Sequence, residues 1–267
     1  MIIFAYLATI FMGMTLGVLG GGGSILTVPI LVYLFKVDPI LATSYSLFIV
    51  GLSALFGGIN YLRQGQVDFK VGFLFAIPSF VGVYLTRAFV LPWLPDVIYS
   101  FDEIVISKSL LVMMTFSLLM IIASFSMIRT QKKVQTHSNI PGYLKTLIII
   151  LEGLVVGAIT GFVGAGGGFL IIPALVLLIG LPMKVAVGTS LFIISSKSFI
   201  GLMGDFQAQV AIDWTFLLII SSLGVVGILL GNRLSSKVSD NVLKKIFGYF
   251  VLVMGSIITF ENILSLF

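Results

Sequence analysis

Charge is scarce in this 267-residue sequence: Asp, Glu, Lys and Arg together make up 9% of it. Soluble globular proteins carry about 25% charged residues, because a surface that faces water has to be polar. Apolar residues reach 59%, and the mean hydropathy is +1.21. The composition therefore excludes a soluble enzyme, a disordered chain and a nucleic-acid-binding domain. We expect the lipid bilayer, and no nucleic acid, as the partner of this surface.

Cysteine is absent, and His137 is the single histidine. There is consequently no disulfide framework, thiol nucleophile or thiolate metal site. His137 lies in a polar stretch, KKVQTHSN, which argues against a histidine-bound metal and against an intramembrane Ser–His hydrolase. The phosphate-binding pattern GxxxxGK[ST] is also missing. We expect no enzyme activity, cofactor or metal site, and transport driven by ion or substrate gradients.

Long apolar runs divide the chain. A run of about 17–25 apolar residues can cross a bilayer as one helix. Two longer stretches, 2–35 and 146–180, would each give a helix of about 50 Å, against a hydrocarbon core of about 30 Å. Each has a glycine cluster in its middle and is predicted to form two helices joined by a glycine-rich break. The N-terminal helix of the chain is expected to stay in the protein and not to be a removable signal peptide. The predicted single crossings are 41–62, 71–90, 104–128, 185–204, 214–232 and 246–267.

The chain repeats itself at an offset of 144 residues. GVLGGGGSILTVP at 17–29 aligns with GFVGAGGGFLIIP at 161–173, and 15 of the 41 ungapped positions from Gly17 to Gly57 are identical. Matches of Gly, Pro and Ser in one register do not follow from an apolar composition, so we interpret them as a tandem duplication. The predicted units are repeat one at 1–128, a basic linker at 129–145 and repeat two at 146–267.

Loop charges predict the topology, because basic loops favour the cytoplasmic side. All strongly basic loops lie on the cytoplasmic side only if the stretch 146–180 crosses the membrane twice. Each repeat then has five segments, and the two repeats have opposite orientations in the membrane. The predicted fold is an all-α polytopic membrane protein of two inverted repeats, each starting with a glycine-broken helix pair, with both termini outside. The net charges are +4 in the linker 129–145, +3 in 233–245, +1 in 63–70, and −2 in both 87–103 and 205–213.

Glycine-interrupted helices in matching positions of inverted repeats point to the substrate site of a secondary transporter. A helix that begins after such a break directs its free N–H groups and its positive dipole end towards an anion. The alternative is close helix packing, for which glycine is common in membranes. The candidate residues are Gly20, Gly21, Gly22, Gly23 and Ser24 in the first break and Gly166, Gly167 and Gly168 in the second.

Four hydroxyl residues occupy equivalent places in the helices that follow the two broken pairs: Ser44, Ser46, Thr189 and Ser190. A hydroxyl can donate to an oxyanion without adding charge, which suits an anion that must also be released. The alternative role is hydrogen bonding between helices or to the preceding turn.

Two ionisable residues lie within predicted crossings. Lys197 is a candidate partner of the anion, because a charge at mid-helix is costly in a membrane. The alternative is that its side chain snorkels towards the helix end near Asp205. Its aligned residue in repeat one, Ser53, is neutral. Glu152 is a candidate for carrying a coupling proton, although an interfacial position near Lys145 is the preferred interpretation.

The glycine motifs, the paired Ala-x-x-x-Ser-Leu-Phe segments that begin at Ala42 and Ala186, and LKKIFGYFVLVMG at 243–255 resemble the TauE/SafE family of sulfite exporters, also called TSUP. The resemblance covers nearly the whole chain. It implies a carrier of small sulfur-containing anions, such as sulfite or sulfonates, in a prokaryotic inner membrane. Repeat one departs from the Gly-Thr-Ser-Leu string of repeat two, having Thr43-Ser44-Tyr45-Ser46-Leu47 instead.

The leading hypothesis is a secondary transporter that exports such an anion by alternating access. A passive anion channel using the same helix ends is the alternative, and an intramembrane enzyme is disfavoured because no catalytic constellation is present. The sequence leaves open the anion, the coupling ion, the direction and the oligomeric state, with a homodimer among the candidates.

Overall fold

The computed structural model describes residues 2–101, 104–129, 142–163, 167–207, 212–235 and 239–264. Six helices in these ranges are long and apolar enough to cross a membrane, and the protein is an all-α polytopic membrane protein. In our numbering, repeat one contains α1 (Ile2–Leu19), α2 (20–34), α3 (Pro39–Arg63), α4 (Phe69–Trp93) and α5 (Lys108–Arg129), and repeat two contains α6 (Gly142–Val163), α7 (168–178), α8 (Met183–Gln207), α9 (Trp214–Ser235) and α10 (Asp240–Leu264).

A short antiparallel hairpin precedes α5. Strand β1 (Val97–Phe101) pairs with β2 (Ile104–Ser107), so the helix predicted over 104–128 begins only at Lys108. The prediction was wrong at 104–107 because a short apolar run does not distinguish helix from strand, and β-branched residues such as Ile104 and Val105 favour strands.

The loop predicted at 87–103 starts too early in the sequence, because Arg87 belongs to a helix. The helix α4 continues through a widened turn at Thr86–Val90 to Trp93, and the Arg87 side chain is only 1% exposed. The charge on this residue was taken to mark a loop, whereas its side chain is turned into the protein. Only the segment after Trp93 connects α4 to the next element.

The linker predicted at 129–145 is bounded more narrowly by the structure. Helix α5 extends to Arg129 and α6 begins at Gly142, so Lys145 belongs to a helix. The rest of the linker, 130–141 with His137, lies outside the described residues.

The helices pack in pairs that are related by exchanging the repeats. Helix α1 packs against α9 as α6 packs against α4, and α3 packs against α9 as α8 packs against α4. The remaining main pairs join equivalent helices: α2 with α7, α3 with α8 and α5 with α10. Exchanging each helix for its counterpart leaves this pairing pattern unchanged. The pattern supports the duplication, and the opposite orientation of the repeats in the membrane stays a prediction.

Glycine stripes bring two of these pairs into backbone contact. A Cβ on Gly13 of α1 would lie 2.9 Å from the Gly227 Cα of α9, and one on Gly17 would lie 2.9 Å from the Gly231 Cα. In the equivalent pair, a Cβ on Gly157 of α6 would lie 2.6 Å from the Ser79 Cα of α4. Small residues four apart allow this approach between membrane helices.

The helix directions place the loops at two ends of the molecule. Helix α6 runs parallel to α4, since Gly153 meets Phe75 and Gly161 meets Val83 further along both helices. The Ser235 hydroxyl at the end of α9 is 2.8 Å from the Tyr61 hydroxyl near the end of α3. The end of α3, the start of α6 and the end of α9 therefore share one end, as the loop charges require.

Both broken pairs contain the same proline-linked distortion. Pro29 precedes a π-helical turn at Ile30–Leu34, and Pro173 precedes one at Ala174–Leu178. Proline removes a backbone donor and crowds the preceding turn, and a widened turn accommodates this. The short helices α2 and α7 are therefore irregular. Most of their described side chains are buried in the protein.

Candidate functional site

The two helix breaks meet inside the molecule. Gly20, with φ +61°, ends α1, and Gly167, with φ +71°, precedes α7; this left-handed conformation favours glycine. Gly21 and Gly168 are in backbone contact, because a Cβ added to either one would overlap the Cα of the other. The structure therefore brings together the glycine clusters predicted in the two repeats.

The other predicted glycines are less informative. A Cβ on Gly23 would overlap the backbone of Leu16, so this glycine is needed to fold the chain back on α1. Gly22 lies in the tight 3₁₀ turn of Gly20–Leu26, and Gly166 lies outside the described residues. The Ser24 hydroxyl donates to the Gly21 carbonyl, which stabilises the turn itself.

Ser190 connects repeat two to the first break. The Gly21 N–H donates to its Oγ over 3.4 Å, and its hydroxyl donates to the Val187 carbonyl over 2.8 Å. The aligned residue in repeat one, Ser46, is also fully buried, and its hydroxyl has no hydrogen-bond partner among the described residues. Both hydroxyls lie in the protein interior, where either could donate to an anion.

Thr189 has a structural partner that the sequence did not reveal. Its Oγ1 accepts from the Asp68 N–H at 2.9 Å, at the start of α4. In the other repeat, the Tyr45 hydroxyl accepts from the Asp213 N–H at 2.8 Å, at the start of α9. The two bonds are equivalent under the repeat alignment, and they fix how α3 and α8 contact the start of the facing helix.

Lys197 lies at the second break. Its side chain is fully buried, and its Nζ donates to Thr160 Oγ1 of α6 at 2.9 Å. A Cβ added to Gly167 would lie 2.8 Å from this Nζ. The structure thus excludes snorkelling for Lys197 and places its ammonium group beside the start of α7. Sequence reasoning missed Thr160, whose aligned residue in repeat one is Leu16.

Arg87 is a second buried cation. Its Nη1 donates to Ser44 Oγ at 3.1 Å, which gives the predicted site residue Ser44 a partner on α4. The sequence carried a signal for this: Arg87 is the one charge between Val71 and Trp93. A lone charge within an otherwise apolar helix faces the protein interior more readily than lipid.

Glu152 is not part of this arrangement. It lies half-buried on α6 next to Gly153, which contacts the backbone of Phe75. One carboxylate oxygen, Oε2, is buried without a hydrogen-bond partner among the described residues. The neighbourhood of Lys145, on which the interfacial interpretation depended, is outside the description of side chains.

Basic side chains supply the buried charge in the part of the chain that the structure describes. Among the described side chains, the fully buried charged ones are Lys197 and Arg87, and no carboxylate is fully buried. Backbone N–H groups at the breaks, serine hydroxyls and an ammonium group are all donors, and they suit an oxyanion. In the present conformation the two breaks touch, so an anion could lie between them only after they separate.

Two bacterial proteins are similar in sequence to this chain over nearly its whole length. A probable membrane transporter protein of Xylella fastidiosa (strain Temecula1) is 30% identical, covering 95% of this chain and 93% of its own. The probable membrane transporter protein YunE of Bacillus subtilis is 25% identical, covering 98% of this chain and all of its own. No solved structure matches the protein.

The model of a single family covers nearly the whole chain. Residues 5–258 match the family described as "Sulfite exporter TauE/SafE". The match includes both glycine breaks, both buried cations and all ten helices in whole or in part. With its apolar membrane-length helices and its transporter relatives, this protein is an integral membrane transporter that belongs to the TauE/SafE sulfite exporter family.

Proposed function

We propose that the protein exports a small sulfur-containing oxyanion, sulfite or a sulfonate, across a prokaryotic inner membrane by alternating access. The observation that carries the proposal is the meeting of both helix breaks beside the buried ammonium group of Lys197. Two helix ends alone would offer only dipoles and N–H donors. The added cation makes the interior selective for a negatively charged solute.

In this mechanism the anion binds at the contact between Gly21 and Gly168. When the breaks separate, their N–H groups lose the neighbour that now covers them and become donors to the anion. Ser190 and Lys197 already lie at the two sides of that contact and add a hydroxyl and a charge. A site built from donors also excludes cations, because it offers them no carboxylate.

Release follows from the limited number of strong contacts. A charge-assisted hydrogen bond contributes about 1.5–3 kcal/mol, whereas hydroxyl and amide donors contribute less. One ammonium group with neutral donors therefore binds an oxyanion without holding it permanently. Rocking of one repeat against the other around the central contact would expose the site to each side in turn. We place the linker in the cytoplasm and both termini outside.

The alternative is a passive anion channel that uses the same helix ends. The backbone contact between Gly21 and Gly168 favours the carrier, because it leaves no space for an anion between the two breaks in this conformation. A channel would need this contact to open without a compensating closure elsewhere.

Flux in proteoliposomes tests the proposal. The purified protein is assayed with sulfite, sulfate, thiosulfate, simple sulfonates and sulfoacetate, using empty liposomes as the control. We expect saturable flux of sulfite or a sulfonate, accelerated by counterflow when the same anion is present on the opposite side. Unitary conductance without counterflow would establish the channel instead, and flux of none of these anions would refute the proposed substrate class.

A further inference from the structure

A polar cavity lies at the end of the molecule where α3 and α9 end and α8 begins. Its volume is about 130 Å³. All of its lining side chains are polar, although the chain is 59% apolar. The lining residues are Asn60, Tyr61, Gln64, Gln66, Lys184, Asn232 and Ser235.

The chemistry of the lining suits an anion. Lys184 is the cation of the cavity, and it forms no ion pair with a described residue. The remaining lining groups are amides and hydroxyls, which can donate hydrogen bonds, and none is a carboxylate. An exposed or half-exposed ammonium group attracts anions from solution, and neutral donors replace part of their hydration.

Hydrogen bonds close the floor of the cavity. The Tyr61 hydroxyl donates to the Gly17 carbonyl at 3.1 Å and pairs with the Ser235 hydroxyl at 2.8 Å, which ties together α1, α3 and α9. Asn232 donates from Nδ2 to the Gly57 carbonyl at 2.8 Å. Gly17 lies one helical turn before Gly20, so this layer adjoins the first helix break.

We propose that the cavity is a first-contact site for small oxyanions on the cytoplasmic side, with Lys184 as its charged ligand and the Tyr61 layer as its floor. This site lies on different residues from the one at the breaks and receives the anion before it. The inference rests on the proposed function, since it assumes an anion that moves from this end inward. It also adopts the orientation in which loop 63–70 is cytoplasmic.

The test compares three variants in vesicles of opposite sidedness. Lys184→Gln removes the charge, and Lys184→Arg retains it. Arg63→Gln is the matched control, because it removes one positive charge from the exposed end of α3, outside the cavity lining. Initial rates of sulfite transport are measured over a range of concentrations in inverted vesicles, which present the cytoplasmic face, and in right-side-out vesicles.

We expect Lys184→Gln to raise the half-saturating concentration about three- to tenfold in inverted vesicles, with an unchanged maximal rate. Lys184→Arg and Arg63→Gln should match the wild type, as should Lys184→Gln in right-side-out vesicles. If Lys184→Gln and Arg63→Gln shift the half-saturating concentration equally, or not at all, the first-contact site is refuted while the transport function stands. A wild type that moves no sulfur oxyanion would instead refute the proposed function.

Discussion

Lys197 and Arg87 are exceptions in an interior made of apolar side chains, and both are held by hydroxyl groups from another helix. Thr160 on α6 accepts from Lys197, and Ser44 on α3 accepts from Arg87. A hydroxyl solvates a cation without neutralising its charge. Lys197 therefore differs from a residue in a structural ion pair: its partner among the described residues is the Thr160 hydroxyl and not a carboxylate.

Replacing Lys197 with Met should weaken anion binding by about ten- to a hundredfold, because a charge-assisted hydrogen bond contributes roughly 1.5–3 kcal/mol. The effect should be graded and not absolute, since the helix ends still supply N–H donors. The half-saturating concentration for sulfite flux measures it, with size-exclusion chromatography in detergent to show that the variant is folded. Unchanged affinity would assign Lys197 a purely structural role.

The second break should not tolerate a side chain at Gly167. In Gly167→Ala the new Cβ would overlap Thr160 Cγ2 and approach the Lys197 Nζ to 2.8 Å, and the left-handed φ adds a cost of about 1–2 kcal/mol. We expect transport to be lost while the protein still inserts into the membrane.

A second substitution separates the overlap from the backbone strain. Thr160→Ser removes Cγ2 but retains the hydroxyl that holds Lys197, so Gly167→Ala/Thr160→Ser should recover part of the transport rate. Flux is compared among both single variants and the double variant. Normal flux in Gly167→Ala would show that the break is not closely packed. A double variant no better than Gly167→Ala would assign the defect to φ and to the contacts that remain, with the Cβ of residue 160 at 2.6 Å and with Lys197 Nζ at 2.8 Å.

At the scale of elements, glycine has two separate functions in this protein. At Gly20 and Gly167 it provides a left-handed conformation that ends or starts a helix. Along α1, α4, α6 and α9 it provides a flat surface on which two helices meet at their backbones. Close packing, one of the two interpretations weighed from the sequence, therefore applies to the glycines of these helix pairs, and the anion site at the breaks stays a prediction.

Adding one methyl group to the packing surface should destabilise the protein. Gly157→Ala on α6 places a Cβ 2.6 Å from the Ser79 Cα, and because this is backbone the helices must move apart. Overpacking of this kind costs typically 1–3 kcal/mol. The melting temperature in detergent should fall by several degrees, and scanning fluorimetry measures it.

Gly58→Ala is the matched control for this experiment. It changes a glycine within helix α3 where the nearest atom to the new Cβ is Leu191 Cβ at 3.7 Å, an ordinary contact. Its melting temperature should equal or exceed that of the wild type, because alanine favours helix. Equal stability of Gly157→Ala and Gly58→Ala would contradict the close approach of α4 and α6.

At the scale of the molecule, the pairing of helices is unchanged when the repeats are exchanged. Helices α1 and α9 are parallel, as are α6 and α4, so each repeat lends its first helix to the fourth helix of the other. Among the described residues, neither repeat has an internal set of contacts of this size, so each repeat completes the packing of the other. An arrangement of this kind suits rocking about the shared centre, where the two breaks touch.

Single cysteines can test the sidedness, since the chain has none of its own. We expect Ser100→Cys and Gln207→Cys to react with an impermeant thiol reagent from outside, and Gln135→Cys and Ser239→Cys to react only after the membrane is permeabilised. The physical reason is the excess of Lys and Arg in the loops assigned to the cytoplasm. Labelling of Ser239→Cys from outside would overturn the inverted arrangement. Gln135 lies outside the described residues, so it tests the linker independently of the structure.

The sequence by itself determined the class of the protein, its membrane-spanning helices and the positions of its two helix breaks. Each of these depends on local composition: apolar runs of a given length, and glycines that interrupt them. The helix ends found at Leu19 and Val163 lie next to the predicted glycine clusters for this reason. The family resemblance was also local, because its motifs are short, and the family match confirmed it.

Only the tertiary structure decided which side chains face one another. Arg87 turned inward and not into a loop, Thr160 was found beside Lys197, and Gly21 was brought against Gly168. Hydropathy cannot predict these contacts, because it sums over neighbours in sequence, whereas Lys197 and Thr160 are 37 residues apart and Gly21 and Gly168 are 147 residues apart. The direction of a buried polar side chain depends on which donor or acceptor the packing of other helices places within reach, since an unsatisfied polar group is costly in an apolar interior.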